Sequence, residues 1–397
     1  MRIIYISTTC PYADAIEDFF LPEIKALMNA GHDVLVIPRI AGRFIEEENK
    51  VFLKYALYKR MFSFCMIGPV IRFMFIRPGV VFGLLKVIFS DRRALNIIKN
   101  LLVFPKGAWI AKVARDWRAD HIHAQWATTN ATMAFVAAAL GNVEWSFTAH
   151  RGDIVCNNLL TVKSRSSKFV RFISESGIEL ARSVAAGIPS EKIRLIHMGV
   201  EAPAEVINIS SSKPVNAILC PASLLLVKGH KFLIEAMDIL RKRGVDCMLY
   251  LAGDGPLRRG LENQVNESGL SDRVVFLGHI AHGALIDMYK NRKVSIVVMP
   301  SVDLGGGLHE GIPVALMEAM SFGLPVVATS TGGIAELINR DCGMLVPPAD
   351  PLALSVALES LLKDDKLWIR LAASGRQKII QDFSANSAAL ALARNMG

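Results

Sequence analysis

Lys293–Val294–Ser295–Ile296–Val297–Val298–Met299–Pro300 reads as a buried strand, and Glu310–Gly311–Ile312–Pro313–Val314–Ala315–Leu316–Met317–Glu318 follows as a loop running into a helix. Pro300–Ser301 stops the strand, and Asp303–Leu304–Gly305–Gly306–Gly307 supplies a flexible loop that delivers Glu310. Pro313 suits the first helical position, where its missing N–H costs nothing. Val314 to Phe322 is a good helical run, and Gly323 is placed to end it in the left-handed conformation. Leu324–Pro325–Val326–Val327–Ala328–Thr329 then repeats the strand signal. Ser330–Thr331–Gly332–Gly333 leads from it into a helical Ala335–Glu336–Leu337–Ile338. Two strand–loop–helix units in a row put two helix N-termini at one edge of a parallel sheet, the edge where such sheets bind ligands. A helix start attracts phosphate. A carboxylate before it and another inside it can hold hydroxyls, which together suit a nucleotide-sugar.

The alternation extends over the whole chain. In the first half, strands are expected at Arg2–Ser7, Asp33–Pro38, Ala119–Ala124, Val143–His150 and Lys168–Ser174. Helices are expected near Asp18–Ala30 and Thr128–Leu140. Glu201–Ala202–Pro203 to Lys213–Pro214 is polar and Pro-bounded, a linker. A second series then runs through strands at Asn216–Cys220, Cys247–Ala252 and Val274–Gly278, with helices His230–Arg241 and Arg258–Ser268 between them. Leu352–Asp364 and Lys366–Phe383 are expected as closing helices. The pattern is α/β with parallel sheets.

At 397 residues the chain has room for two domains. Apolar residues make up 52%, yet the longest stretch free of Asp, Glu, Lys and Arg, His121–Val143, carries two histidines and several amides and hydroxyls, too polar for a bilayer core. Met1–Ser7 reads as a first strand rather than a signal peptide. Cys10, Cys65, Cys156, Cys220, Cys247 and Cys342 are scattered without metal-ligand spacing, which suggests reduced thiols in a cytoplasmic protein. His121 and His123 share one strand face, but no third ligand accompanies them, so no metal is expected.

The net charge of +9 is uneven. Between Val51 and Asp120 there are thirteen basic residues against Asp91, Asp116 and Asp120, interleaved with Phe62, Phe64, Phe73, Phe75, Phe82, Phe89, Phe104 and Trp109. Basic residues alternating with aromatics on helices fit an anionic membrane surface. Core helices whose cations simply face water would give the same pattern. No groove-reading or RNA-binding motif accompanies the charge, so nucleic acid is not an expected partner.

Lys228–Gly229, between a strand and a helix, can neutralise a diphosphate as a point charge. Leu251–Ala252–Gly253–Asp254–Gly255–Pro256 lets backbone approach a ligand closely, although a plain turn explains it as well. His150 closes the strand Trp145–Ala149 ahead of Arg151–Gly152–Asp153 and is expected at the ligand edge. No Gly-x-Gly-x-x-Gly or P-loop is present, against a dehydrogenase or P-loop kinase.

These residues together resemble the retaining glycosyltransferases of family 4. They are Glu310–Gly311–Ile312–Pro313…Glu318, Gly323–Ala328, Gly332–Gly333, Val227–His230, Leu251–Leu257, Phe276–Gly278, Phe147–His150 and Asp153. The N-terminal half is similar to the exopolysaccharide, colanic-acid-type branch, whose members act on lipid-linked glycans. The resemblance implies the GT-B fold, two Rossmann-like domains with parallel sheets facing across a cleft. Residues 1–200 would bind the acceptor and carry a basic helical insert at about 51–118. Residues 201–375 would bind the nucleotide-sugar, and 376–397 would form a closing helix packing back on the N-terminal domain.

The implied activity is a retaining hexosyltransferase of cell-surface polysaccharide biosynthesis, cytoplasmic and peripheral on the inner membrane face. By the resemblance Glu318 holds the ribose hydroxyls and Lys228 the diphosphate, while Glu310 sits by the transferred sugar. Gly311, Ile312, Pro313 and Val314 lie along the sugar and phosphates, and Gly253, Gly278 and His279 on the donor side near the base. His150 and Asp153 would lie on the acceptor side, with Glu310, His150 and Lys228 as the catalytic set. No cofactor or metal is implied beyond the donor itself. Ser223 stands five residues before Lys228 where the family usually has Arg, so half of the diphosphate clamp is missing or supplied elsewhere. Thr8–Thr9–Cys10–Pro11–Tyr12 replaces the usual glycine-rich loop. A nucleotide-sugar epimerase or a phosphorylase of the same fold, or a non-catalytic membrane scaffold of glycan assembly, are the alternatives.

Overall fold

The computed structural model describes residues 1–11, 20–41, 47–61, 63–203, 215–305 and 308–397. The linker expected at 201–214 and the glycines at 306–307 therefore lie largely outside the described residues, as does Tyr12. The chain divides into two compact units, one formed by Met1–Met198 with Ala385–Gly397, the other by Gly199–Ser384.

In the first unit β1 (Arg2–Ser7), α1 (Leu21–Asn29) and β2 (Asp33–Pro38) form an opening βαβ element. Two 3₁₀ segments (Glu47–Tyr55 and Phe64–Met66) lead to α2 (Ile67–Ile76), α3 (Pro78–Phe89) and α4 (Ala94–Trp117). Then come β3 (His121–Gln125), α5 (Thr129–Gly141), β4 (Glu144–Ala149), α6 (Arg151–Cys156), α7 (Leu160–Ser166), β5 (Phe169–Phe172), α8 (Glu175–Val184) and β6 (Ile193–Leu195). All pairs are parallel, in the order β2-β1-β3-β4-β5-β6. The inner strands are buried on both faces because helices cover both sides of a parallel sheet, although β3 and β4 carry a polar row of His121, His123, Gln125, Ser146 and Thr148 between their apolar residues. Ile3, Ile4, Ile6, Ile122, Phe147 and Val170 are fully buried.

The second unit repeats the scheme with β7 (Ala217–Pro221), α9 (His230–Lys242), β8 (Met248–Ala252), α10 (Arg258–Glu267), β9 (Val274–Gly278) and α11 (His282–Lys290). It continues with β10 (Ile296–Met299), α12 (Val314–Ser321), β11 (Val326–Thr329), α13 (Ile334–Leu337), β12 (Met344–Val346), α14 (Pro351–Lys363) and α15 (Asp365–Asp382). Its sheet runs β12-β11-β10-β7-β8-β9, again all parallel. Counted within the unit this is the Rossmann order, with the topological switch between β7 and β10. Asp350 and Asp364 cap α14 and α15, accepting from Ala353 N and from Lys366 and Leu367 N. The final helix, α16 (Ala385–Met396), belongs to the first unit, where it packs on α1 and Lys168 Nζ donates to Met396 O at 2.8 Å.

Two expectations need correction. Pro313 is the N-cap rather than the first helical residue, because its ψ of 120° leaves it extended and the helix starts at Val314. The basic stretch does not form one surface. Lys106 is fully buried and donates to the carbonyls of Pro38, Arg39 and Lys59, while Phe73, Phe104 and Trp109 lie in the core. The C-terminal half of α4 packs along α5, so only residues up to about 102 present exposed apolar side chains.

Candidate functional site

Lys228 leaves β7 through a 3₁₀ turn, Leu226–Lys228, while Glu310 is carried by the long loop after β10. These two strands flank the topological switch, so their loops meet there. Val302 N donates to Val227 O at 2.9 Å, lacing the loops together. Gly229 has φ +66°, and a Cβ there would stand 2.0 Å from the Pro300 carbonyl oxygen. Only glycine permits that approach.

Across the seam Lys228 Nζ donates to Glu310 Oε2 at 2.5 Å, both side chains more than four-fifths buried. Ser301 Oγ points at the same carboxylate oxygen from 3.5 Å, and Ser301 O accepts from Thr329 Oγ1 at 2.5 Å. The Glu310 backbone is held as firmly. His309 Nδ1 donates to Glu310 O at 2.8 Å. Gly332, at φ +52°, lies so close that a Cβ would come within 1.9 Å of that oxygen. Glu310 is thus clamped between the ends of β7, β10 and β11.

Gly311 and Ile312 continue from Glu310 to the N-cap Pro313, with Gly333 packed on Ile312. The first N–H groups of α12 have no intrahelical acceptor and form the electropositive end of the helix. Glu318 lies one turn further in and is mostly buried; His282 Nε2, at the start of α11, donates to its Oε1 at 2.8 Å. Gly253 and Gly278 meet in a bridge between the turns after β8 and β9, and His279 follows, exposed. Ser223 is exposed on the loop after β7, with its carbonyl accepting from Leu225 N.

Sequence reasoning passed over His282, Ser301, His309 and Arg258. Arg258 pairs with Glu262 at 2.9 Å and Asp254 at 3.6 Å, and its Nη1 lies 3.4 Å from where a Gly278 Cβ would be. His282 follows a strand ending in Gly278 at the same sheet edge, a positional signal that carries no motif. The others become visible only through the fold.

In the first unit His150 ends β4 and caps α6. Its Nε2 donates to Gln125 Oε1 at 3.1 Å, and its ring lies 4.2 Å from that of Trp126. Burial, with help from Arg171, pushes its pKa down to about 3, so the ring is neutral. Gln125 Nε2 donates to Tyr5 Oη, Tyr5 donates to Glu23 Oε1 at 2.9 Å, and Glu23 pairs with the fully buried Arg171 at 2.6 Å. Asp153 accepts from Ala127 N, and burial pushes its pKa up to about 7. His121 and His123 share the Ser146 hydroxyl, and His123 also bonds Thr148. Among the described residues no group of three or more His, Cys, Asp and Glu side chains could hold a metal ion.

Residues 205–378 match the family model described as Glycosyl transferases group 1. The amylovoran biosynthesis glycosyltransferase AmsK of Erwinia amylovora is 34% identical over 209 residues, covering 52% of this chain and 50% of that protein. The putative colanic acid biosynthesis glycosyltransferase WcaL of Escherichia coli K12 is 35% identical over 207 residues, covering 50% and 49%. The matched part of the chain thus spans about half the length of these curated relatives. In fold the similarity spans the whole chain: Anabaena Alr3699/HepE, solved in complex with UDP, superposes with a TM-score of 0.70 over 100% of this chain and 99% of its own at 17% identity. The chain has the GT-B fold. The epimerase and scaffold alternatives gain nothing from these comparisons.

Proposed function

We propose that the chain is a glycosyltransferase of surface-polysaccharide biosynthesis, moving a sugar from a nucleotide-sugar to a glycan or lipid-linked acceptor with retention of configuration. The observation that carries this is the Lys228–Glu310 pair at the topological switch of the second sheet, beside the N-terminus of α12. Charge develops on the diphosphate as the glycosidic bond breaks, and preorganised donors aimed there lower the barrier. Lys228 and the helix N–H groups are such donors. Glu310 then addresses the transferred sugar and Glu318 the ribose hydroxyls, with Gly253, Gly278, His279 and Ser223 around the remainder of the donor. His150 and Asp153 serve the acceptor from the first unit. No metal has a part in this reading.

HepE was solved with UDP and with UDP-glucose, and AmsK and WcaL are named for amylovoran and colanic acid biosynthesis, which supports a nucleoside-diphosphate-sugar donor and a glycan product. In this reading the acceptor lies at the cytoplasmic face of the inner membrane and the enzyme is peripheral to it. Incubation with a panel of nucleotide-sugars and a membrane lipid extract should release nucleoside diphosphate, and Glu310→Ala should abolish the release. Equal release by both proteins across the panel would refute the enzyme reading; retention is read from the anomeric configuration of the product by NMR.

A further inference from the structure

Helices α2, α3 and α4 pack on one another and leave their outer faces apolar and uncovered. Among the described residues, fourteen of the twenty-six exposed large apolar side chains fall between Val51 and Leu102, including every exposed phenylalanine. Phe64 is 91% exposed, Phe75 83%, Phe82 64% and Phe89 60%. The helical period explains the arrangement. On α2 and the 3₁₀ turn that leads into it, Met66, Pro69 and Phe73 face inward, while Ile67, Ile71, Met74 and Phe75 form the opposite stripe. On α3 Val81, Leu84 and Ile88 are buried and Phe82 and Phe89, seven residues apart, point out. On α4 Asn96, Asn100 and Val103 are buried against an outer stripe of Leu95, Ile98 and Leu102. Helices apolar on both sides are ordinarily covered on both, and an exposed apolar area of this extent marks an interaction surface.

Charge identifies the occupant. Arg72, Lys86, Arg92 and Lys99 stand exposed within or beside these stripes. The one acid of the region, Asp91, is engaged by the Arg93 N–H and by Asn96. A second copy of the same face would set these cations against each other, which opposes self-association. Among the described residues no helix is long and apolar enough to cross a membrane. Long basic side chains around protruding aromatics match the interface of an anionic bilayer, where the rings enter the headgroup layer and the cations meet lipid phosphates. We infer that the outer faces of α2, α3 and the first half of α4 dock the protein onto an anionic lipid bilayer.

This deepens the membrane placement proposed above and is tested without any donor. Flotation of the full chain with phosphatidylcholine vesicles containing phosphatidylglycerol should show binding at low salt that weakens as salt rises. Vesicles of phosphatidylcholine alone should bind at least about tenfold less. Phe75→Ser with Phe82→Ser, and separately Arg72→Glu with Lys86→Glu, should each lower partitioning by about tenfold or more, with thermal midpoints unchanged because all four side chains are exposed. Absence of binding to anionic vesicles at low salt, or equal binding by either variant, overturns the inference. So does a stable dimer that Phe75→Ser with Phe82→Ser converts to monomer. A protein that floats but releases no nucleoside diphosphate from any donor would leave this docking surface intact and refute the glycosyltransferase reading alone.

Discussion

Lys228 donates directly to Glu310 across 2.5 Å, so the cation assigned to the diphosphate and the carboxylate assigned to the sugar neutralise each other before donor arrives. A bound diphosphate has to draw Lys228 away from Glu310. Removing the two partners should therefore have opposite effects on nucleotide binding. Lys228→Met should weaken nucleoside diphosphate binding by roughly ten- to a hundredfold, the worth of a hydrogen bond to a charged group. Glu310→Gln should leave binding equal or tighter while lowering turnover by about a hundredfold or more, as loss of a group acting on the transition state does. Calorimetric titration of both variants beside steady-state rates checks this; parallel losses of affinity would contradict it.

The glycines around that pair give a second expectation. A Cβ at Gly332 would stand 1.9 Å from Glu310 O, and the residue's φ is +52°. Gly332→Ala should lower the thermal midpoint by several degrees, about 1–3 kcal/mol of strain, and reduce turnover by displacing Glu310. Gly260, inside α10 with nothing within 4 Å of a Cβ, is the control. Gly260→Ala should stabilise by about 0.5–1 kcal/mol and leave turnover unchanged. Differential scanning calorimetry separates the two.

The glutamate inside α12 is expected to act on affinity more than on rate. His282 holds the Glu318 carboxylate at 2.8 Å from an exposed position, leaving its other oxygen as the acceptor for a diol. Glu318→Gln should raise the donor KM by about tenfold with kcat within about threefold, since a ribose contact is made equally in ground and transition states. His282→Ala, which removes an orienting partner, should change KM by only about threefold. Initial-rate measurements over donor concentration distinguish these, and a large kcat loss in Glu318→Gln would reassign that residue.

Much of this was legible beforehand. The strand–loop–helix punctuation around Pro300, Pro313 and Gly323 placed Glu310 and Glu318 at the ligand edge because turn chemistry is local. The apolar runs at Ile3–Ile6, Ile218–Cys220 and Val326–Ala328 read as inner strands for the same reason. The edge strands Ile193–Leu195 and Met344–Val346 went unseen, each three residues long and largely half-exposed, too short to show a period. Lys106 looked like one more surface cation; its three carbonyl partners come from segments 47 to 68 residues away in sequence and exist only in the fold. The direct Lys228–Glu310 bond, 82 residues apart, was equally invisible, although both residues could be nominated.

The buried histidines of the first sheet predict an acid-labile fold. Burial lowers the pKa of His121 and His150 to about 3 and that of His123 well below its usual value, with nearby cations acting in the same direction. Unfolded, all three titrate near 6.5, so below that pH the unfolded chain binds protons that the folded chain refuses. Their neutral forms therefore contribute stability present above about pH 6.5 and lost as pH falls towards the folded values. Each histidine contributes up to about 1.4 kcal/mol per pH unit within that window. Urea midpoints should fall between pH 6.5 and pH 4.5, where the three histidines outweigh Asp153, whose pKa, raised by burial to about 7, makes the folded chain take up a proton and offsets one of them. His121→Asn removes one of the three groups and should flatten the slope by about a third of their combined contribution. A midpoint that holds steady down to pH 4.5 would mean these rings are hydrated or paired with a carboxylate, against their burial among Ser146, Thr148 and Gln125.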